Sequence, residues 1–449
     1  MQSHSRRFRM KRDPVTSHAK AAAFLCLLLS VPTIGRAADP PPTPIPFRNA
    51  VELALEHSGV MGIAAINQWR ARKAYEEVRA NYIPQLTVGS GLGYSYGFPL
   101  TLEGSAPSLV NFNTLNSVFN LALQQYLKAA KIDWRATSLD VQDKRDAVIL
   151  DAALTYAQLA QLMKKIDVLG EAQKAAEKAQ FVSEQRLTEG VDSKLDVTRS
   201  QLVAARIRLR IAEAQGQSDV LRQHLAGMLG VAADSITVDP ASVPAMPVMS
   251  QDEDLPARAV ENSLAVKEAQ QKKVAAQLRA NGEHKATMWP TADLATQYAY
   301  LAKYNNYNSY FVTYTANNFS GGLNIRFPFL NEVQRAKAEQ AKADALLAAK
   351  QEDITRAKVR EDALQLQRSL RQLSAARDVA RLEWEVSQGD LEAVQARVQT
   401  GQANTRDGEN AELDMNDKYA AYLDAEFQLS RAELQLIRMT GELEGWAMK

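Results

Sequence analysis

The sequence predicts a mostly α-helical α+β protein made of two tandem helix–strand–strand–helix repeats. Three observations predict it: long proline-free stretches with heptad spacing, short segments with period-two alternation, and recurrence of the whole order in the second half. We expect a long antiparallel α-helical coiled coil with one strand hairpin in each repeat.

Residues 1–37 have the pattern of a secretory signal peptide. A basic start with seven Lys/Arg leads into an apolar run over 21–34, which is followed by Gly35-Arg36-Ala37. The run is shorter than the ~20 residues of a stable membrane span, although an uncleaved N-terminal anchor is the rival interpretation. Cleavage after Ala37 would remove Cys26, the only cysteine. Phe24-Leu25 precede Cys26 where a lipidation signal needs small residues.

Composition excludes several classes of function. Without residues 1–37 the chain has 46 basic and 51 acidic residues, a net charge of −5, so nothing electrostatic favours a nucleic acid partner. The remaining histidines, His57, His224 and His284, are far apart and lack metal-ligand spacing. The sequence therefore predicts no metal site, no cofactor and no enzyme.

The first repeat is expected over residues 48–238, after a Pro-rich segment at 38–47. Its first strand is predicted at about 85–98, where apolar and aromatic residues alternate with small ones. A second, weaker strand is predicted at about 117–125, and a helical tip at about 187–193, where a glycine interrupts a very long helix.

The second repeat is expected over residues 257–446, after a Pro-rich acidic linker at 239–256. Its strands are predicted at about 290–302 and 318–328, and its helical tip at about 399–405. The tip glycines, Gly190 and Gly401, are 211 residues apart, and each is followed six residues later by an aspartate, Asp196 or Asp407. This shared spacing indicates duplication.

Two strand hairpins cannot close a membrane barrel, because the smallest common barrel has about 8 strands and an open lipid-exposed edge is forbidden. Three copies would give twelve strands. The polar faces, with Asp293, Gln297, Asn324 and Arg326, would then line a wet lumen. A soluble sandwich on a coiled-coil stalk is the alternative. The residues predicted to face lipid are Leu92, Tyr94, Tyr96, Tyr298, Tyr300, Leu323, Ile325 and Phe327.

Three segments carry a resemblance to a known family. They are the strand exit at Leu323–Asn331, the tip turn with its downstream Asp-Val at Arg186–Val197, and the terminal Leu-X-Arg-X-Thr-Gly pattern at Leu436–Gly441. In these segments and in its duplicated order, the chain resembles the TolC-like outer-membrane efflux protein family over residues 46–445.

The resemblance implies a homotrimer with a transmembrane barrel of twelve strands, four from each subunit, in the outer membrane of a Gram-negative bacterium, and a helical tunnel in the periplasm. It also implies docking by a periplasmic adaptor (membrane fusion) protein and an inner-membrane pump. The adaptor would contact the tips at Gly190, Val191, Gly401 and Gln402, and Asp407 and Asp196 would line the periplasmic entrance.

The sequence departs from the family pattern at three places. The family's second entrance aspartate falls on Asn410, and its tip arginine falls on Ala403. The first strand exit reads Gln125-Tyr126-Leu127, without the usual proline. The function expected from the whole pattern is a passive exit duct for efflux or secretion, and the alternative is a non-conducting periplasmic coiled-coil scaffold.

Overall fold

The computed structural model describes residues 44–91, 108–247, 254–301 and 315–449. The predicted signal peptide lies outside these residues, as do Leu92, Tyr94 and Tyr96 of the first predicted strand. The helices are α1 (Phe47–His57), α2 (Gly59–Ala80), α3 (Leu121–Thr188), α4 (Lys194–Leu229), α5 (Leu255–Asn262), α6 (Leu264–Met288), α7 (Glu332–Gln399), α8 (Thr405–Thr440) and α9 (Leu443–Ala447). The strands are β1 (Gln85–Gly89), β2 (Ser108–Phe119), β3 (Thr291–Leu301) and β4 (Asn317–Arg326).

The long helices of the two repeats are equal in length, and the predicted mostly helical fold is confirmed. Helices α3 and α7 each have 68 residues, and α4 and α8 each have 36. At 1.5 Å per residue, α3 and α7 are each about 100 Å long. The N-cap residues Asn120 and Asn331 are again 211 residues apart, and each side chain accepts a hydrogen bond from a backbone N–H three residues later.

Helix α3 is the central helix of the subunit. The heptad spacing runs along it at Ile149, Ala152, Tyr156, Leu159, Met163 and Ile166, of which the first four are buried and the last two half-buried. With no proline to interrupt its hydrogen bonds, the helix continues to the tip glycine, Gly190.

The main hydrophobic core lies at the middle of α3, where α1, α9 and the C-terminal ends of α4 and α8 pack on it. The ring of Phe47 lies edge-on to Tyr156 at 5.5 Å and to Trp446 at 5.3 Å between centroids. The Tyr156 hydroxyl accepts a hydrogen bond from the Asp239 N–H at 2.7 Å, and it lies 2.8 Å from the Ile45 carbonyl oxygen. The core therefore ties the chain before α1 and the linker after α4 to the centre of α3.

The four strands form one antiparallel sheet in the order β1-β2-β3-β4. Gln85 pairs with Leu115 and Thr291 pairs with Arg326, so the start of β1, the end of β2, the start of β3 and the end of β4 lie at one end of the sheet. All four strand–helix junctions are therefore at that end.

The second strand differs from its predicted position. It occupies Ser108–Phe119, whereas the prediction placed a polar loop before a strand at about 117–125. The strand has no clean alternation, since asparagines at 111, 113 and 116 fall on both faces. The residues from Leu121 form a helix instead, because the Asn120 side chain caps it by accepting from the Leu123 N–H at 2.9 Å.

The short helices also differ from the prediction. The sequence at about 48–82 and 256–286 has a helical composition, but Ser58 and Ser263 have extended ψ angles of 122° and 119° that divide each stretch into two helices. The strands β3 and β4 and the two tips lie within one or two residues of their predicted positions.

Candidate functional site: hairpin tips and sheet

The first hairpin tip is a tight turn between α3 and α4. Gly190 has φ +77°, in the left-handed region that favours glycine. The Val191 N–H donates to the Arg186 carbonyl oxygen at 2.8 Å and so closes the end of α3. Gly190 is exposed, and Val191 has an exposed fraction of 61%.

The second hairpin tip repeats this geometry between α7 and α8. Gly401 has φ +74°, and the Gln402 N–H donates to the Arg397 carbonyl oxygen at 2.8 Å. Open space surrounds the Cα of both tip glycines, so the positive φ is the physical reason for glycine at these positions. Gly401 and Gln402 are exposed.

Asp196 forms a capping box at the start of α4. Its carboxylate accepts from the Ser193 hydroxyl at 2.6 Å and the Ser193 N–H at 3.2 Å, and its own N–H donates back to the hydroxyl at 3.2 Å. These hydrogen bonds from Ser193 hold the pKa of Asp196 below its ordinary value. Arg199 and Arg406 lie 3.7 and 3.8 Å from the same carboxylate.

Asp407 forms the equivalent capping box at the start of α8. Its carboxylate accepts from the Asn404 N–H at 3.1 Å, and its N–H donates to the Asn404 side-chain oxygen at 2.9 Å. The repeated aspartate six residues after each tip glycine therefore starts a helix in both repeats. Asp407 remains exposed, so helix capping leaves its carboxylate in reach of solvent.

Two carboxylates near the tip were missed by the sequence reasoning. Glu409 and Glu412 on α8 face a crevice lined by small and apolar residues of α3 and α4, among them Ala172, Ala176 and Val203. Burial raises the pKa of Glu409 and of Glu412 above the ordinary value. The available sequence signal was two glutamates three residues apart, facing an alanine-rich helix.

The register of the sheet separates an apolar face from a polar one. Leu294 pairs with Leu323 and Ala292 pairs with Ile325, so these four residues share one face. On the same face Tyr298 lies 6.1 Å from Phe112 between ring centroids. Tyr300, Leu323, Ile325 and Phe327, all predicted to face lipid, are exposed, while Tyr298 is half-buried.

The opposite face carries the polar residues predicted for a lumen. Asp293 and Arg326 form an ion pair at 2.5 Å, and Gln297 and Asn324 are exposed on that side. Asp293 is buried by its neighbours, so the arginine neutralises a carboxylate that would otherwise be costly to bury.

The described ranges hold neither a metal-ligand cluster nor a membrane-spanning helix. They contain no cluster of three or more His, Cys, Asp or Glu that could hold a metal ion. They also contain no helix long and apolar enough to cross a membrane.

Solved structures show which known fold the chain has. The chain is similar to the outer-membrane channel OprN, with 19% identity and a TM-score of 0.74 over 89% of this chain and 90% of that one. The outer membrane protein VceC from Vibrio cholerae is 18% identical, with a TM-score of 0.71 over 88% of this chain and 96% of that one. The Campylobacter jejuni CmeC outer membrane channel is 14% identical, with a TM-score of 0.74 over 88% of this chain and 86% of that one. The chain therefore has the fold of the TolC-like outer-membrane channels.

A sequence comparison finds a family match over the first repeat. Residues 50–231, which span the first repeat, match the family model described as outer membrane efflux protein. No curated protein matches the chain. The match covers the first repeat in sequence, and both repeats have the TolC-like channel fold. The match over the first repeat and the fold together support an outer-membrane efflux channel.

Proposed function

We propose that this chain is the subunit of a homotrimeric channel that forms a passive exit duct for efflux or secretion. The duct would cross the outer membrane of a Gram-negative bacterium through a shared barrel and extend into the periplasm through its long helices. Docking of a periplasmic adaptor and an inner-membrane pump at the helical tips would open it.

The exposed sheet is the observation that carries this proposal. All ten residues of β4 are exposed, including Phe319, Leu323 and Ile325, and β1 is nearly as exposed. Within the described residues, β1 and β4 each have one edge without a partner strand. A four-stranded sheet with a bare apolar face and two open edges is a liability in water.

A shared barrel removes this liability. Lipid covers the apolar face, and the edge strands pair between copies, so every backbone group finds a partner. Three copies give twelve strands, which is within the range of known membrane barrels. The polar face, with the Asp293–Arg326 pair, then lines a lumen filled with water.

Exposed heptad stripes on the helices support contact between copies. On α7, exposed apolar residues are separated by seven or fourteen positions: Val333, Leu347 and Ile354, and then Val379 and Val386. On α4 a matching stripe is formed by Leu195, Leu202 and Leu209. Such stripes pack against other helices in coiled coils. In the proposed trimer, a second copy of this chain supplies the helices that pack against these stripes.

The tips support docking of an adaptor. Val191 is a large exposed apolar residue at the extreme end of one hairpin, and Gly190, Gly401 and Gln402 are exposed beside it or at the other tip. Small residues at such turns let a partner backbone approach closely. An adaptor whose helical tips carry small apolar residues fits this surface.

Asp407 is the better of the two candidate entrance residues. The carboxylate of Asp196 already lies within 4 Å of Arg199 and Arg406, which offset part of its charge. Asp407 has no such cation within 4 Å among the described residues, and it is exposed. Three copies of Asp407 would place three negative charges at the periplasmic mouth.

Membrane fractionation with a matched pair of variants tests the proposal. Leu323→Arg puts a charge on the apolar face at a cost of about 2–4 kcal/mol near the bilayer centre, whereas Asn324→Arg puts the same charge on the polar face. We expect the wild type and Asn324→Arg to float with outer membranes as trimers, and Leu323→Arg to be lost from them. A wild-type chain recovered as a soluble periplasmic monomer would instead indicate the non-conducting scaffold.

A further inference from the structure

We propose that the crevice between α8 and the helices α3 and α4 binds a divalent cation of the calcium class, one in each subunit, through the side chains of Glu409, Glu412 and Asn416. A cation held there joins the second helical hairpin of the subunit to the first, close to the tips. The inference goes beyond the proposed function and rests on it only for the consequence that the bound cation opposes opening of the duct.

The three side chains share one face of α8. Glu409, Glu412 and Asn416 are spaced by three and four residues, so they are neighbours on the helix surface, and all three line the crevice. Ser200 of α4 lines the crevice from another wall. Its hydroxyl donates to the Val197 carbonyl oxygen at 2.9 Å, and its oxygen keeps lone pairs that a cation can use. Two helices therefore bring side-chain oxygens to one small space.

The crevice contains two carboxylates and no cationic side chain. Apart from Ser200 and Asn416, the other described residues that line it are apolar: Ala172, Ala175, Ala176, Ala179, Val203, Ile207 and Leu413. Glu409 and Glu412 are half-buried against these walls. Carboxylates at an apolar surface are costly unless a positive charge compensates for the lost water.

The charged groups outside the crevice are engaged elsewhere. Arg406 and Asp192 lie within electrostatic range of Glu409. Arg406 lies 3.8 Å from the carboxylate of Asp196, and Asp192 accepts a hydrogen bond from Arg186 at 3.1 Å. Among the described residues, the positive charge that would balance both carboxylates of the crevice is therefore missing.

Asn416 is the observation that favours a bound ligand. Only 6% of it is exposed, and its amide makes no hydrogen bond to the part of the chain that the structure describes. Buried side-chain amides almost always have a partner, because burying one without a partner costs free energy. Its carbonyl oxygen is a ligand that Ca²⁺ accepts. A buried amide beside two carboxylates is the combination that a calcium ion satisfies.

The size and chemistry of the crevice select a small hard cation. Its volume is about 30 Å³, enough for one ion or water but too small for an organic amine. Calcium takes about six to eight oxygen ligands from carboxylates, amide carbonyls and waters. Because the third ligand here is an amide, the site is not one of the clusters of three or more His, Cys, Asp or Glu that the described ranges lack.

The acidic face of α8 has no counterpart in the first repeat. At the 211-residue offset, the equivalent positions on α4 are Thr198, Gln201 and Ala205. A helix in this place therefore needs neither carboxylate to form its hairpin. Contact of α8 with α3 and α4 is what a cation at Glu409, Glu412 and Ser200 would strengthen.

Calcium titration of the purified full-length protein, followed by isothermal titration calorimetry, tests the site. We expect about one ion per subunit with a dissociation constant of about 10⁻⁴–10⁻³ M, as in extracellular calcium modules. The double variant Glu409→Gln plus Glu412→Gln should weaken binding by about tenfold or more. Asp414→Asn removes an exposed carboxylate of the same helix and should leave binding unchanged.

Two variants of Asn416 separate a cation site from acids that are merely buried. Asn416→Asp adds a third carboxylate and should tighten calcium binding by about tenfold, whereas Asn416→Leu keeps a similar volume and should weaken it by about tenfold. Asp407→Asn should bind as the wild type does. If Asp407→Asn abolishes binding, the ion sits at the periplasmic mouth and the crevice site is wrong.

Hydrogen exchange connects the site to the hairpins. Calcium should slow exchange of α8 amides near the tip in the wild type but not in Glu409→Gln plus Glu412→Gln. A wild type without saturable calcium binding, or a double variant that binds and is protected equally, overturns the inference. Neither measurement needs conduction, so protein that conducts without binding calcium refutes the site alone, and protein that binds calcium without conducting refutes the duct alone.

Discussion

Helices α3 and α7 have the same length and the same place in their repeats, yet they are buried very differently. Seventeen residues of α3 are buried, against three of α7, namely Glu352, Ala363 and Ser387. Helix α3 is enclosed by neighbours from both repeats, whereas α7 presents an apolar heptad stripe to solvent. Duplication of a helix therefore did not duplicate its environment, and the proposed trimer would cover the exposed stripe of α7.

The contrast also extends to the contacts that hold the helices together. In the first repeat, Trp134 of α3 stacks on Tyr75 of α2 at 5.8 Å, and the Arg72 guanidinium lies 5.9 Å from the Trp134 ring. In the second repeat, the carboxylate of Glu352 on α7 accepts from Lys273 of α6 at 2.8 Å and from Arg356 at 2.6 Å. The contact between α2 and α3 relies on aromatic packing, and the contact between α6 and α7 relies on a buried ion cluster.

The largest difference between the two helices should appear at Tyr156 and its counterpart Gln367. Tyr156→Ala empties the core between α1 and α3 and should destabilise the protein by about 3–5 kcal/mol. Gln367→Ala, 211 residues later on α7, should change stability by less than about 0.5 kcal/mol. Thermal unfolding of the detergent-solubilised protein measures both. Equal losses would contradict the central place of α3.

The ion cluster of the second repeat should give the next largest effect. Glu352→Gln weakens two charged hydrogen bonds and leaves Lys273 and Arg356 facing a neutral group, which should cost about 1.5–3 kcal/mol. The hydrogen bonds from Lys273, followed by those from Arg356, lower the pKa of Glu352. A lowered carboxyl pKa contributes stability that is present above the ordinary value near 4.5 and lost as pH falls through the folded value.

The pH dependence of stability therefore provides a second test of the Glu352 cluster with the same variant. Wild-type stability should fall in acid below about pH 4.5, and Glu352→Gln should reduce that dependence. Val141 stands at the equivalent position of α3, so Val141→Ala provides a control without a carboxylate. Unfolding midpoints recorded from pH 3 to pH 7 decide the matter, and identical slopes in all three proteins would refute the assignment.

Glycine replacements at the tips should have a smaller effect of about 1 kcal/mol. Gly190→Ala and Gly401→Ala each force a side chain into the left-handed region. Gly170→Ala and Gly389→Ala lie inside α3 and α7 with open space around them, and they should stabilise by about 0.5–1 kcal/mol. Opposite signs for tip and mid-helix variants in thermal unfolding are the expected result. A gain at either tip would rule out the turn geometry.

The smallest predicted effect is the pH dependence of local stability at the crevice between α8 and the helices α3 and α4. The pKa values of Glu409 and Glu412 are raised by burial, so their contribution to stability is fully present below the ordinary value and is lost as pH rises through the folded one. Hydrogen exchange of α8 amides near the tip should become slower in acid, by no more than about tenfold, after correction for intrinsic rates.

The double variant Glu409→Gln plus Glu412→Gln isolates this effect. It should hold α8 in its acid-like, more protected state at neutral pH, with little change below pH 4. Asp407 and its capping box are untouched by the change. Wild-type protection that increases with pH would oppose the predicted sign.

The sequence was sufficient for the duplicated fold but not for the roles of particular residues. Heptad spacing and the 211-residue offset identified the long helices and both tips, because those features are local and repeated. The strand β2 was misplaced, because its asparagines fall on both faces and leave no alternation of apolar and polar residues. Asp196 and Asp407 were noticed from spacing, but their capping boxes depend on backbone geometry that spacing does not reveal.

The burial of Glu409, Glu412 and Glu352 also lay beyond the sequence. Each belongs to a helix rich in exposed charges, and only the tertiary packing shows which carboxylates face a neighbour. Phe329 and Leu330, between β4 and α7, are apolar in the sequence, but their exposed position depends on the turn after β4.

Single-channel recording in planar lipid bilayers tests the central claim most directly. Purified wild-type trimers should produce discrete conductance steps, Asn324→Arg should retain steps with altered ion selectivity because its charge enters the lumen, and Leu323→Arg should give none. If wild-type trimers do not raise the conductance of the bilayer above its background, even with the adaptor and pump present, the proposal that this protein is an exit duct is contradicted.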